Sequence, residues 1–138
     1  MRAIVNLYDH SIVSWELGHS NNNPLVMDTV KKAMRKSPGA RPLLHSDRGF
    51  QYTSYDYKAL KTKYKFTKSR SRVSRCLDNQ PIEHFWSMFK EEKFYQESYQ
   101  NFEELKRSVS SYMRYYNNYR YSEALNELLP NEFRKQAV

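Results

Sequence analysis

The stretch RPLLHSDRGFQYTS, residues 41–54, sets a polar and acidic segment directly after a short apolar run. Arg41 to His45 is predicted to be a short strand, and Asp47 to Gly49 the turn that follows it. In open α/β sheets, ligands sit beyond the carboxyl ends of the strands, which is where this pattern puts Asp47. The stretch therefore predicts a strand end with a functional carboxylate. The alternative is that Asp47 is a turn residue that bonds its own backbone.

Strands and helices alternate on both sides of this stretch. Two β-rich runs, residues 3–8 and 11–17, are joined by a short turn, and this spacing predicts a hairpin. A further short strand is predicted at residues 64–67, and the polar segment 68–79 has no periodicity and predicts a loop. This order of elements is typical of an α/β fold. No repeat or linker divides the chain, so one domain is expected over residues 1–138.

Helices are predicted where apolar residues recur every three or four positions after a capping residue. Asn23 with Pro24 is predicted to begin the first helix, and Asn101 with Glu104 forms a capping-box pattern. Other helices are expected at residues 53–63, from Pro81 and from Pro130, so that helices occupy much of the C-terminal region 101–138.

The composition favours a nucleic-acid partner. The chain carries 23 Lys and Arg against 15 Asp and Glu, which gives a net charge of +8 and a pI near 9.5. A basic excess of this size is typical of proteins that bind polyanions, and no apolar run is long enough to span a membrane. Plain solubility is the alternative explanation of the charge. Cys76 is the single cysteine and no signal peptide is evident, so a cytoplasmic protein is expected.

Glu83 is the candidate partner of Asp47, and thirty-five residues separate the two. It lies in the first turn of the helix predicted from Pro81, beside the apolar stripe of that helix. A carboxylate on a helix flank can face one at a strand end, and such an oxygen-lined site suits Mg²⁺ or Mn²⁺. These cations bind in pairs where phosphoryl transfer is the reaction. The alternative is a turn aspartate and a glutamate that merely stabilises its helix dipole.

Several separated motifs resemble one family of enzymes. The motifs are residues 45–49, 51–54, 69–75, 78–86 and 90–92, together with the hairpin and the C-terminal stretches 116–120 and 125–133. They resemble the catalytic domain of bacterial insertion-sequence transposases, which are retroviral-integrase-like enzymes named for an Asp-Asp-Glu triad. The resemblance covers nearly all of the chain. Asp47 matches the second catalytic Asp of the family, and Glu83 matches its catalytic Glu.

The resemblance implies a ribonuclease H-like fold, in which a mixed sheet is flanked by helices. It also implies Mg²⁺ or Mn²⁺ as the cofactor, and cleavage and strand transfer of DNA, with transposon ends and target DNA as partners. A homo-oligomer is expected in the active complex, at the nucleoid of the bacterial cytoplasm. Gly49, Asp78 and Asn79 are the candidate residues that support the site, the last two by capping the helix of Glu83.

One departure from the family pattern concerns the first catalytic Asp, which the family carries on a strand upstream of the hairpin. This chain begins inside the first strand of the hairpin, and neither Asn6 nor Asp9 substitutes for that acid. We therefore expect a sheet without its first, central strand, and a triad that is incomplete as written.

A basic segment runs between the two candidate carboxylates. Residues 61–75 include seven basic residues and no acid: Lys61, Lys63, Lys65, Lys68, Arg70, Arg72 and Arg75. Such a segment can contact the phosphates that flank a cut, with little reading of the bases. Lys90 lies seven residues after Glu83 on the same predicted helical face, and it is a further candidate for DNA contact. The alternatives are a solvated loop and an ordinary surface lysine.

Two functions are consistent with these patterns. The first is the catalytic core of an insertion-sequence transposase, in which water or a 3′-hydroxyl attacks a DNA phosphate. The second is an inactive remnant that binds DNA or pairs with a full-length transposase but does not cut. Both functions use the same residues, and they differ in whether the triad is complete.

Overall fold

The computed structural model describes residues 1–20, 22–47, 49–70 and 80–136. Within these ranges the strands are β1 (Arg2–Val5), β2 (Ile12–Glu16), β3 (Leu43–Ser46) and β4 (Thr67–Arg70). The helices are α1 (Asn23–Lys36), α2 (Tyr55–Tyr64), α3 (Gln80–Glu92), α4 (Phe102–Asn118) and α5 (Pro130–Lys135). Short 3₁₀ turns lie at Phe50–Thr53, Phe94–Gln96 and Glu123–Leu125.

The chain divides into two compact units. The first unit consists of Met1–Ile4 and Val13–Gln80, and it includes α1, α2, β3 and β4. The second consists of Val5–Ile12 and Pro81–Val138, and it includes the hairpin turn, α4 and α5. In the described parts of both units, no helix has the length and apolar character that crossing a membrane requires.

The strands pair two by two in the part of the chain that the structure describes. β1 pairs with β2 in the predicted hairpin, and β3 pairs with β4. The second pair is parallel, in a register that sets Leu43 opposite Thr67 and Ser46 opposite Arg70. A hairpin and a parallel pair beside helices confirm the predicted α/β class, and they agree with the ribonuclease H-like fold that the resemblance implies.

Helix α1 has Asn22, and not Asn23, as its N-cap. The side chain of Asn22 accepts a hydrogen bond from Leu25 N at 3.3 Å, so the predicted cap is wrong by one residue. Consecutive asparagines offer the same capping side chain at neighbouring positions, and local sequence does not distinguish between them. Pro24 still lies in the first turn, where its missing N–H costs no hydrogen bond.

The core of the first unit packs α1 and α2 against the strands. Its buried side chains are Val26, Met27, Val30 and Met34 from α1, Tyr57 and Leu60 from α2, and Phe66. Ile4 of β1 and Leu44 of β3 pack against this cluster. The apolar spacing that predicted α1 therefore buries one face of the helix against its neighbours.

Strand β4 lies three residues beyond its predicted position. Helix α2 continues to Tyr64, and Lys65 then adopts a left-handed conformation with φ of 57° that ends the helix. Phe66 is buried, and the strand begins at Thr67, whose N–H donates to Pro42 O at 3.0 Å. The strand predicted at residues 64–67 and the loop predicted at residues 68–70 are therefore wrong, and the rest of that loop, residues 71–79, lies outside the described residues. The four residues of β4 include no apolar side chain, so its pairing with β3, and not its own pattern, makes it a strand.

The second unit has an aromatic core. Phe85 and Phe89 of α3 are buried, as are Tyr112 and Tyr116 of α4. The rings of Phe85 and Tyr116 meet edge to face with centroids 5.2 Å apart, and those of Phe89 and Tyr112 do the same at 5.2 Å. Such edge-to-face pairs add to the stabilisation that burial provides. These contacts hold α3 and α4 together within the unit.

Asn101 caps α4, as the capping-box pattern predicted. Its side chain accepts a hydrogen bond from Glu104 N at 2.9 Å. The carboxylate of Glu104 accepts in turn from Gln100 N at 2.9 Å, one residue before the cap. The prediction of the helix start is confirmed, and the reciprocal bond is displaced by one residue.

The hairpin turn is fixed to the C-terminal helices within the second unit. Asp9 is buried, and its carboxylate accepts from Ser11 N at 2.9 Å and from Nε of Arg134 on α5. The same guanidinium donates from Nη2 to Ser11 Oγ at 2.8 Å. Asn117 of α4 accepts from Ile12 N at 2.8 Å and donates to Ile12 O at 3.0 Å, as a neighbouring strand would. A buried carboxylate needs such partners to offset its loss of hydration.

A second ion pair links Glu92 at the end of α3 to Arg120. Arg120 donates to both carboxylate oxygens of Glu92, at 2.7 Å from Nη2 to Oε1, and Tyr112 Oη donates to Oε2 at 3.0 Å. Hydrogen bonding from Arg120 lowers the pKa of Glu92 below its ordinary value of 4.5, in opposition to the effect of burial. Burial raises the pKa of Tyr112, so its hydroxyl keeps the proton that it donates.

Replacement of Arg134 by Ala should destabilise the protein, because the substitution leaves the buried Asp9 carboxylate without its cationic partner. We expect a loss of about 1–3 kcal/mol in the free energy of unfolding. Urea denaturation measures the change, and Lys135→Ala, at the exposed neighbouring position, is the matched control. Equal stabilities of the two variants would contradict this role of Arg134.

Replacement of Glu92 by Gln should remove part of the acid sensitivity of the fold. Because the pKa of Glu92 is lower in the folded than in the unfolded state, its ion pair stabilises the fold above about pH 5 and is lost as the pH falls through the folded-state pKa. The pair is partly exposed, so its contribution is about 1 kcal/mol. Unfolding measured in acid and at neutral pH should show a smaller difference for Glu92→Gln than for Glu91→Gln. The same difference in both variants would count against the ion pair.

Candidate active site

Asp47 lies at the carboxyl edge of the β3–β4 pair. It directly follows Ser46, the last residue of β3, and Ser46 is opposite Arg70, the last residue of β4. Because the two strands are parallel, both carboxyl ends reach the same edge. The structure therefore brings an exposed carboxylate and an exposed guanidinium to one edge of the first unit. This is the position that the sequence predicted for Asp47.

The Asp47 carboxylate is held by the turn that follows it. Its Oδ1 accepts a hydrogen bond from Gly49 N at 2.8 Å. The hydrogen bond that the alternative interpretation predicted, from the turn backbone to Asp47, is therefore present. It does not exclude a functional role, because Oδ2 and the second lone pair of Oδ1 can still accept a cation or a proton.

The Asp47 carboxylate can come this close to Gly49 N because residue 49 has no side chain. A Cβ added at Gly49 would lie 3.0 Å from Asp47 Oδ1 and 2.8 Å from Gln51 Oε1, and both distances are shorter than ordinary contacts. Gln51 itself is buried, so its side chain has little room to move away. These contacts give a physical basis to the prediction that Gly49 supports the site.

His45 and Ser69 lie on the same face of the strand pair as Asp47. Successive strand residues point to opposite faces, and His45 and Asp47 are exposed whereas Ser46 between them is buried. The Nδ1 atom of His45 lies 3.0 Å from Ser69 Oγ, across the two strands. Sequence reasoning did not select Ser69, since it lay in the segment predicted to be a loop.

Lys68 of β4 contacts two tyrosines of the first unit, Tyr52 and Tyr57. Lys68 Nζ donates to Tyr52 O at 2.7 Å and lies 5.5 Å from the centre of the Tyr57 ring. Burial raises the pKa of Tyr52; the cationic Arg2 opposes that rise, and the charge of Asp47 adds to it. Burial also raises the pKa of Tyr57, to about 12. Both phenols therefore remain neutral at physiological pH, and the Asp47 carboxylate acts electrostatically on Tyr52.

The other predicted basic residues of the first unit are divided among several elements. Lys61 and Lys63 lie in the last turn of α2, Lys65 is its C-cap, and Lys68 and Arg70 belong to β4. Cations at a helix C-terminus stabilise the helix dipole, so Lys61 and Lys63 have a structural role whether or not they bind DNA. Arg72, Arg75, Asp78 and Asn79 lie outside the described residues, and their predicted roles stay predictions.

Glu83 lies in the second unit, in the first turn of α3, and its side chain is exposed. Lys90 lies in the last turn of the same helix and is also exposed. Seven residues are close to two helical turns, so Glu83 and Lys90 occupy one face of α3. Phe85 and Phe89 point into the core instead. The two candidate acids thus belong to different units, Asp47 to the first and Glu83 to the second.

Among the described side chains, no group of three or more His, Cys, Asp and Glu residues is arranged to hold a metal ion. Asp47 and Glu83 both present exposed carboxylate oxygens, which are the ligands that Mg²⁺ and Mn²⁺ prefer. The donor chemistry of each residue therefore fits the cofactor that the sequence predicted.

The chain is similar to several proteins of mobile elements. It is 32% identical over 138 residues to a transposase-like protein of Haemophilus influenzae, and covers 64% of that relative. It is 30% identical over 138 residues to a 31 kDa protein of insertion element IS600 from Shigella sonnei, and covers 51% of it. It is 27% identical over 139 residues to a transposase of insertion sequence IS3fB from Escherichia coli, and covers 48% of it. These alignments include 99% or more of the chain, which spans between about half and two thirds of each relative's length.

Two family models match nearly the whole chain between them. Both are described as an integrase core domain, and they match residues 2–76 and residues 83–138. The first match includes Asp47 and the strand pair that carries it, and the second begins at Glu83. The resemblance found in the motifs is confirmed by these matches and by the transposase relatives of insertion elements. The chain belongs to the integrase core domain family.

Proposed function

We propose that this chain is part of the catalytic core of an insertion-element transposase, and that Asp47 and Glu83 are two of its metal-binding acids. The observation that carries the proposal is the position of Asp47, an exposed carboxylate at the carboxyl edge of a parallel strand pair. Ligands of open α/β sheets sit at such edges. Membership of the integrase core domain family supports the same assignment.

The chemistry that this assignment requires is cleavage and joining of DNA phosphodiesters. Divalent cations held by carboxylates activate the attacking oxygen and stabilise the leaving oxygen in such reactions. Asp47 would hold a cation at the strand edge, with its orientation fixed by Gly49 N. Glu83, exposed in the first turn of α3, would supply a second carboxylate. Mg²⁺ or Mn²⁺ is the cofactor class that fits oxygen ligands.

DNA is the proposed partner of both units. The net charge of +8 favours a polyanion, and Arg70, the last residue of β4, is an exposed cation at the strand ends that Asp47 follows. Lys90 supplies a further exposed cation on the helix face of Glu83. Contacts of this kind bind the sugar–phosphate backbone and carry little sequence information. Assembly of several copies on DNA, at the nucleoid, is part of the proposal.

Removal of the Asp47 charge should weaken Mn²⁺ binding. We expect the affinity of Asp47→Asn to fall at least about tenfold while the fold is kept, because Asn preserves the oxygen that accepts from Gly49 N. Calorimetric titration of the chain with Mn²⁺ measures the effect. Asp56→Asn, which removes an exposed acid from the first turn of α2, is the matched control. Unchanged affinity in Asp47→Asn would contradict the assignment.

Substitution of Gly49 by Ala should disturb the same site without removing a charge. The added Cβ would lie 2.8 Å from Gln51 Oε1 and 3.0 Å from Asp47 Oδ1, so these side chains must shift, and we expect Mn²⁺ affinity to fall about three- to tenfold. Gly18→Ala is the control, because there the Cβ meets the flexible side-chain end of Leu25. If Gly49→Ala binds Mn²⁺ as well as Gly18→Ala does, Gly49 does not support the site.

A cleavage assay separates the proposed function from its alternative, a protein that binds DNA or pairs with a transposase without cutting. Because the triad is incomplete as written, a strand that carries the family's first catalytic Asp is fused before the chain, and this protein is incubated with DNA that carries the ends of an insertion element and with Mn²⁺. Metal-dependent cleavage that is lost in Glu83→Gln would support a catalytic core. DNA binding without product, unchanged by Glu83→Gln, would support the alternative.

A further inference from the structure

Helix α2 presents two of its lysines on one face. Lys58 and Lys61 are three residues apart, so they are neighbours on the helix surface, and both side chains are exposed. Lys63 lies two residues beyond Lys61, about 200° further round the helix. The ammonium group of Lys63 lies 5.3 Å from the centre of the Tyr64 ring. The helix therefore separates Lys63 from the other two lysines.

Strand β4 carries two further cations. The Lys68 ammonium is held by Tyr52 O and lies over the ring of Tyr57, the residue that precedes Lys58. Arg70 is two residues further along β4, on the same side of the strand as Lys68, and it is exposed. Lys68 thus contacts α2 at the residue next to Lys58.

The charges of Arg70, Lys58 and Lys61 act on Lys68. Burial lowers the pKa of Lys68, and repulsion from Arg70, Lys58 and Lys61 lowers it further. Such repulsion requires that these three cations lie within electrostatic range of Lys68. Such a cluster is destabilised in the free protein, and a bound polyanion relieves the repulsion.

We infer that Lys58, Lys61, Lys68 and Arg70 form a binding site for the phosphodiester backbone of DNA on the first unit. The inference rests on the proposed function, because DNA is the polyanion that this function supplies. Lys68 is fixed by its two tyrosine contacts and contributes a positioned charge. The exposed side chains of Lys58, Lys61 and Arg70 make the contacts to phosphate oxygens.

This site differs from the one that the sequence predicted. The predicted segment, residues 61–75, includes both Lys61 and Lys63 and does not include Lys58. The structure assigns Lys58 to the site, since it lies beside Lys61 and acts on Lys68. It assigns Lys63 to packing against Tyr64. Of these two exposed lysines of one helix, only Lys58 is therefore predicted to contribute to DNA binding.

The test compares Lys58→Gln with Lys63→Gln in the full chain. Both substitutions remove one positive charge from an exposed position of α2, so they change the net charge alike. Binding to a 20-base-pair DNA duplex is followed by fluorescence anisotropy over a range of salt concentrations. Thermal unfolding of each variant checks that the fold is intact. Lys58→Arg, which keeps the charge, should restore binding.

We expect the slope of log affinity against log salt to become shallower by about 0.9 in Lys58→Gln and to stay unchanged in Lys63→Gln. Between 50 and 200 mM salt, that difference corresponds to about a threefold smaller loss of affinity in Lys58→Gln. If the wild-type chain binds DNA and the two variants show equal slopes of log affinity against log salt, the inference is overturned and the proposed function stands. Absence of salt-dependent binding by the wild-type chain would overturn both.

Discussion

The parallel pairing of β3 with β4 determines which side chains meet at the candidate site. The register that sets Ser46 opposite Arg70 brings Asp47 and Arg70 to one edge, and it sets His45 opposite Ser69. It also places Lys68 where its ammonium reaches Tyr52 O. A shift of one residue would turn each of these side chains to the other face of the strands. The acid, the cations and their supports therefore depend on one set of backbone hydrogen bonds.

In the second unit, polar contacts fix the short hairpin turn to helices α4 and α5. Asp9 is buried because Arg134 and Ser11 N satisfy its carboxylate, and Asn117 takes the place of a strand beside Ile12. These residues are far apart in the sequence, so their contacts tie the hairpin turn to α4 and α5 within the unit. Buried polar contacts of this kind favour one arrangement, since any other leaves charged groups unpaired.

Sequence patterns predicted the elements whose signals are local. The periodicity of α1 and α4, the cap at Asn101 and the strand end before Asp47 could each be inferred from neighbouring residues. Strand β4 could not, because its side chains are polar and only its partner makes it a strand. For the same reason sequence reasoning missed Ser69 as the partner of His45. It also grouped Lys63 with Lys61, because both belong to one basic segment and the contact of Lys63 with Tyr64 is a feature of the structure.

We propose the β3–β4 edge as a divalent cation site. Anomalous X-ray scattering from crystals soaked in Mn²⁺ is the sharpest test of this site, because the signal locates the ion without assumptions about its ligands. We expect a peak about 2.0–2.2 Å from a carboxylate oxygen of Asp47, with Gly49 N still bonded to Oδ1. Ordered Mn²⁺ at other carboxylates, with no peak beside a well-defined Asp47, would show that the edge is not a cation site.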